Sequence, residues 1–172
     1  MIKKIVDVKD PILRAKAKPV AKIDAKIKKL IQDMKDTLYS QDDPEGVGLA
    51  APQVGKSLQI FITNYEGKKI TVINPKVLNT GKSEKIKLSE KVLEGCLSLP
   101  HYYGPLSRAR TIKIKYLDEN RNTQVKEFRD FMAQIIQHEI DHLKGVLFID
   151  KLIAEKEPLY KFDGEDWEEV EL

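Results

Sequence analysis

Apolar residues recur at Ile27, Leu30, Ile31, Met34 and Leu38, three or four apart, and this spacing predicts an amphipathic helix. Asp24 stands where the N-cap belongs, and Asp42-Asp43-Pro44-Glu45-Gly46 breaks the helix soon after Tyr39. Residues 58–63 and 70–73 are apolar and β-branched. They read as two strands joined by a turn at Asn64-Tyr65-Glu66-Gly67, with Asn74-Pro75 ending the second. Thr111-Ile112-Lys113-Ile114-Lys115-Tyr116 alternates cleanly at period two, and the polar residues 118–122 turn it back into a partner over 124–128. From Asp130, the residues Phe131, Ile135, His138 and His142 lie on nearby faces of a second helix, which Gly145 caps. Gly46-Val47-Gly48-Leu49-Ala50-Ala51-Pro52-Gln53 is too rich in small residues for a regular helix, and residues 146–149 form a short apolar run. Helices flanking antiparallel strands predict an α+β fold. The expected arrangement is antiparallel β-sheets packed around the C-terminal helix, with an additional N-terminal helix, in one domain over residues 1–172.

Composition narrows the class. The chain has 172 residues, 41% hydrophobic and 33% charged, as expected of a globular domain with a sizeable core. No run approaches the roughly 18 apolar residues of a membrane helix, and the basic start lacks an apolar segment behind it, so neither a membrane partner nor secretion is expected. One cysteine, Cys96, excludes an internal disulfide and fits a reducing, cytoplasmic setting. The net charge of +3 is unevenly spread, because Asp163, Glu165, Asp166, Glu168, Glu169 and Glu171 crowd the end of the chain. That stretch, about 163–172, reads as a solvated acidic tail. The lysines of the body are dispersed, which favours an ordinary solvated surface over a specific nucleic-acid site.

The candidate chemistry lies in His138-Glu139-Ile140-Asp141-His142. Histidines four apart share one face of a helix and can hold one metal ion, with Glu139 turned only about 100° away. No third histidine follows at the usual spacing; Glu155 and Glu157 could complete the set by distance but sit in an exposed, lysine-punctuated stretch. Cys96, in Glu94-Gly95-Cys96-Leu97-Ser98-Leu99-Pro100, is the better third ligand. One thiolate and two imidazoles leave a tetrahedral position open, the mark of a catalytic site, where Glu139 could take and return the proton of an activated water. Gln53 carries an amide able to donate to a developing oxyanion, although a surface glutamine is the commoner role. The extended small-residue backbone before it could pair with a peptide as an added strand. His101, just past the cysteine motif, could border the substrate cleft or face solvent, and solvent is the expectation.

Together, Gly46-Val47-Gly48-Leu49-Ala50-Ala51-Pro52-Gln53, Glu94-Gly95-Cys96-Leu97-Ser98 and Gln137-His138-Glu139-Ile140-Asp141-His142-Leu143 resemble the three signature motifs of the peptide deformylase family, in that family's order. The resemblance runs from Asp10-Pro11-Ile12-Leu13-Arg14 to Gly145-Val146-Leu147-Phe148-Ile149-Asp150, about residues 2 to 153. It implies a hydrolase that removes the formyl group from the N-terminal formyl-methionine of nascent polypeptides, releasing formate. It implies Cys96, His138 and His142 as ligands of one Fe²⁺, replaceable by Zn²⁺, Ni²⁺ or Co²⁺, and Glu139 as general base and then acid. By the same carry-over, the Gln53 amide and the Leu97 N–H stabilise the oxyanion. Val47, Gly48 and Gly95 bind the peptide backbone, and Phe131, Ile135 and His138 line the methionine pocket. Gln134, one turn before His138, occupies a position that varies within the family. Some members carry a basic C-terminal helix that docks on the ribosome. The acidic end of this chain opposes that, leaving any transient ribosome contact to the lysine-rich body. A cysteine ligand argues against an alternative peptidase cutting internal bonds, and the full set of site residues argues against a degenerate binding module.

Overall fold

The computed structural model describes residues 1–81 and 93–171. The first helix, α1 (Ala25–Tyr39), begins where expected, with the Asp24 side chain accepting from the Ile27 N–H at 3.0 Å. Strands β1 (Gly48–Ala50), β2 (Ile60–Tyr65), β3 (Lys68–Thr80), β6 (Thr111–Leu117) and β7 (Thr123–Arg129) form an antiparallel sheet in the order β1-β2-β3-β6-β7. Strands β4 (Leu93–Cys96), β5 (Leu99–Pro105), β8 (Leu159–Phe162) and β9 (Trp167–Val170) form a second, in sequence order. Helix α2 (Asp130–Leu143) follows β7, and α3 (Phe148–Glu155) leads into β8. The α+β expectation, with antiparallel sheets around a C-terminal helix and an N-terminal helix beside them, is met.

The first sheet is covered on both faces, which explains why residues 60–62 are continuously apolar rather than alternating. Phe61 and Val72 join Met132, Ala133, Ile136 and Ile140 of α2 in one core. Ile60, Ile62 and Ile73 point the other way, against Leu30, Ile31, Met34 and Leu38 of α1. A third, smaller core holds Cys96, Leu106, Phe148, Leu152 and Leu159 under the second sheet. The helix bearing the histidines is thereby pinned along its length by apolar burial.

Three expectations change. The strand predicted to stop at Asn74-Pro75 continues to Thr80, because Asn74 (φ 51°) sits in a bulge where the register shifts and Pro75 owes no ladder hydrogen bond. The Asn74 side chain repairs the irregularity by accepting from the Val20 N–H and donating to its carbonyl, both at 2.8 Å. The turn between β2 and β3 needs only Glu66 and Gly67, both at positive φ, so Asn64 and Tyr65 belong to the strand. The acidic end is no free tail. Residues 167–170 pair with β8, and Leu159 and Val170 pack on the third core, while Glu168 and Glu169 stay exposed. Gly145 does end α2, at φ 74°, with the Val146 N–H donating back to the Asp141 carbonyl at 3.0 Å.

Candidate metal centre

Helix α2 presents His138 and His142 on one face, with ring centroids 4.8 Å apart, and β4 delivers Cys96 against them. Donor atoms of Cys96, His138 and His142 lie within 4.8 Å of one another, and Cys96 Sγ is 3.3 Å from His142 Nε2. All three residues are buried. The fold therefore brings together the three ligands expected from sequence. Glu155 and Glu157 have no place in this group.

The donor set suits a cation. Burial opposes charge on the Cys96 thiol, but the imidazoles of His142 and His138 outweigh it and hold the thiol well below its ordinary range, toward the metal-binding thiolate. His138 Nδ1 lies 2.6 Å from Glu94 Oε1, so this nitrogen carries the proton and leaves Nε2 free to ligate. Arg108 grips Glu94 through Nε at 2.9 Å and Nη2 at 2.5 Å, and reaches Asp141 through Nη1 at 2.6 Å. Burial would raise the Glu94 carboxyl, yet Arg108 and His138 hold it at about 2, fully ionised.

Glu139 is buried beside the ligands, and its Oε2 has no protein partner within hydrogen-bond distance. Burial pushes its carboxyl up to about 7. Its other flank is Gly48, where a Cβ would lie only 2.9 Å from the Glu139 carboxyl carbon. Gly48→Ala is therefore expected to displace the carboxylate and lower turnover by about one to two orders of magnitude, the cost of misplacing a base rather than removing it, without changing metal content. Steady-state kinetics with metal analysis checks this.

Gln53 sits in a one-turn 3-10 segment, Ala51–Val54, and is 1% exposed, which excludes the surface-glutamine reading. Its Oε1 accepts from the Ala50 N–H at 2.8 Å, which turns Nε2 toward Cys96 Sγ (3.4 Å) and Ser98 Oγ (3.3 Å). A cleft of about 290 Å³ opens over these groups, lined by Val47, Gly48, Gln53, Gly95, Cys96, Leu97, Phe131, Gln134, Ile135, His138 and Glu139. Every residue expected at the site thus meets in the ligand set or this cleft. His101, expected to face solvent, also lines the cleft, its Nδ1 3.9 Å from Asp43 Oδ1, while its side chain stays 40% exposed. Sequence reasoning missed Glu94 as the partner of His138, Arg108 as the partner of Glu94, and Tyr103 as a wall residue. Glu94 had a signal in its place two residues before the ligand cysteine.

A buried Cys-His-His cluster with an adjoining carboxylate and an open cleft defines a metal-dependent hydrolase. The model of the family described as polypeptide deformylase matches residues 2–158. Peptide deformylase from Dictyoglomus turgidum is 43% identical over 157 residues, covering 90% of this chain and 95% of its own. That from Pseudothermotoga lettingae is 42% identical over 150 residues, covering 87% and 82%. The crystal structure of the Thermotoga maritima peptide deformylase superposes with a TM-score of 0.80 at 39% identity, covering 88% and 97% of the two chains. That of Synechococcus elongatus, in complex with actinonin, gives 0.77 at 39%, covering 86% and 76%. The chain belongs to the polypeptide deformylase family. It removes the N-terminal formyl group from nascent polypeptides in a metal-dependent hydrolysis.

Proposed function

We propose that Cys96, His138 and His142 hold one Fe²⁺ ion, for which Zn²⁺, Ni²⁺ or Co²⁺ can substitute, and that formyl-methionyl peptides are hydrolysed beside it in a single catalytic domain. The observation that carries this reading is the convergence of three buried donor atoms within 4.8 Å next to a buried carboxylate with one oxygen unpaired. When bound, the ion supplies Lewis acidity toward the attacking water and the formyl oxygen. Glu139 takes the proton from that water and returns it to the departing amine, so that formate and a free N-terminus leave. A carboxyl titrating near 7 suits both transfers. Gln53 Nε2 and the Leu97 N–H donate to the formyl oxygen as it gains charge.

Among the described residues β1 and β4 are edge strands, one from each sheet, and both border the cleft. An extended peptide can lie between them, paired with the backbone of Val47, Gly48 and Gly95. Phe131, Ile135 and His138 receive the methionine side chain, with Gln134 at the pocket wall. The reaction is placed in the cytoplasm, where a reducing environment preserves the Cys96 thiolate. Transient ribosome contact falls to the lysine-rich body, since phosphate repels the acidic hairpin.

Anaerobic purification with metal analysis, paired with a formate-release assay on formyl-Met-Ala-Ser, tests the assignment. Fe²⁺ at about one per chain, with activity that decays in air and is stable with Ni²⁺ or Co²⁺, is the expected result. Full, air-stable activity after the metal has been stripped would sink it.

A further inference from the structure

The β8–β9 hairpin lies beyond residues 2–158, the part of the chain that the family match covers. It nevertheless reaches the cleft. β8 pairs with β5 through Tyr102 opposite Lys161 and Tyr103 opposite Tyr160, and Leu159 and Val170 anchor the hairpin on the core that holds Cys96. From its second strand, Trp167 sets its ring edge-on to Tyr103, centroids 5.5 Å apart, and packs on Phe162 at 4.7 Å. Tyr103 lines the cleft. Across the ladder it faces Gly95, and a Cβ there would sit 2.7 Å from two atoms of the Tyr103 ring. The ring is therefore held between the bare backbone of Gly95 and the indole of Trp167.

We propose that Trp167 is a positioning residue for substrate: it fixes Tyr103 as the cleft wall that meets the peptide residues following the formylated methionine. The inference rests on the deformylase reading of the site. β4 runs toward the ligand set and ends on Cys96, so Tyr103, opposite Gly95, stands one residue back along the peptide path. A peptide paired with Gly95 and carrying its formyl group at the ligands must pass that ring. Trp167 is 51% exposed, and of its two ring partners, Tyr103 and Phe162, Tyr103 lines the cleft. Edge-to-face aromatic pairs hold orientation as well as area, so loss of the indole frees the tyrosine ring rather than removing it.

The test compares wild type, Trp167→Ala and Trp167→Phe on formyl-Met-Ala-Ser and on formyl-Met, the latter having nothing beyond the methionine. In Trp167→Ala, KM for the tripeptide rises about three- to tenfold, with kcat and both constants for formyl-Met within about twofold of wild type; Trp167→Phe restores the tripeptide KM. Equal changes for both substrates, or none, would overturn the proposal. Trp167 is the only tryptophan in the chain, so its emission provides a readout without any change to the hairpin. In metal-loaded Glu139→Ala, formyl-Met-Ala-Ser shifts or quenches that emission and formyl-Met does not. An identical response to both, or none to the tripeptide, also counts against it. Absence of formate release by wild type from either substrate would instead strike the deformylase reading, while the emission still reports whether peptide length is sensed.

Discussion

Glu139→Ala is expected to lower formate release from formyl-Met-Ala-Ser by about 10²–10⁴-fold, the range a positioned acid–base group contributes, while the protein keeps its full complement of metal. The two halves of this result have separate causes. Metal retention follows because the donor atoms that cluster within 4.8 Å come from Cys96, His138 and His142, without Glu139. Loss of turnover follows because, among the described residues, Glu139 is the buried acid that lies beside the ligands with an unpaired oxygen. The other buried carboxylate nearby, Glu94, is committed to Arg108 and His138 and held at about 2, too acidic to take a proton from water. Glu139, raised to about 7 by burial, is poised to accept and release one. Glu139→Gln keeps the shape but lacks the base and is expected to be similarly slow. Turnover at the wild-type rate in either variant would end the proton-shuttle role, and loss of metal with turnover would recast Glu139 as a ligand.

What the sequence made legible follows a physical rule: elements whose own pattern dictates them were visible, and those defined by distant partners were not. Helices α1 and α2 carry apolar faces at helical spacing, and β6 alternates strictly, so each could be read locally. Strand β1 is three residues long, too short for any period, and exists because β2 pairs with it. Strand β4 holds a glutamate and a glycine among four residues, a poor strand by propensity that is stabilised by β5. The terminal hairpin was hidden by its charge, since Glu168 and Glu169 point to solvent while Leu159 and Val170 dock. At the site, the four-residue spacing of the histidines and the solitary cysteine stood out because few residues of those types exist to choose from. Arg108 is one of 30 lysines and arginines, and its partners lie 14 and 33 residues away, so no local signal distinguishes it.

Arg108→Met is expected to destabilise the protein by about 3–5 kcal/mol and to weaken metal retention by about 10- to 100-fold. The side chains of Arg108 and Glu94 are only 6% and 4% exposed, so removing the guanidinium strands an anion in a low-dielectric interior rather than freeing it to water. Glu94 must then rely on His138 alone. It responds by binding a proton, and a protonated Glu94 is a much weaker acceptor for the Nδ1 hydrogen that fixes the imidazole's tautomer. Arg129→Met is the control. Its ion pair with Glu127 is 70% and 41% exposed, and solvent screens it, so no measurable loss is expected. The double replacement Glu94→Gln with Arg108→Met removes both buried charges and should recover much of the stability. It should leave metal retention weakened, because a neutral amide oxygen is a poorer acceptor for the ligand imidazole than a carboxylate. Denaturant titration of the metal-free proteins separates the first effect from the second, which chelator competition measures. If Arg108→Met matched wild type in both, the ion pair would be incidental to the site. If the double variant recovered metal retention along with stability, Glu94 would act on His138 by shape alone, and its charge would have no part in holding the ion.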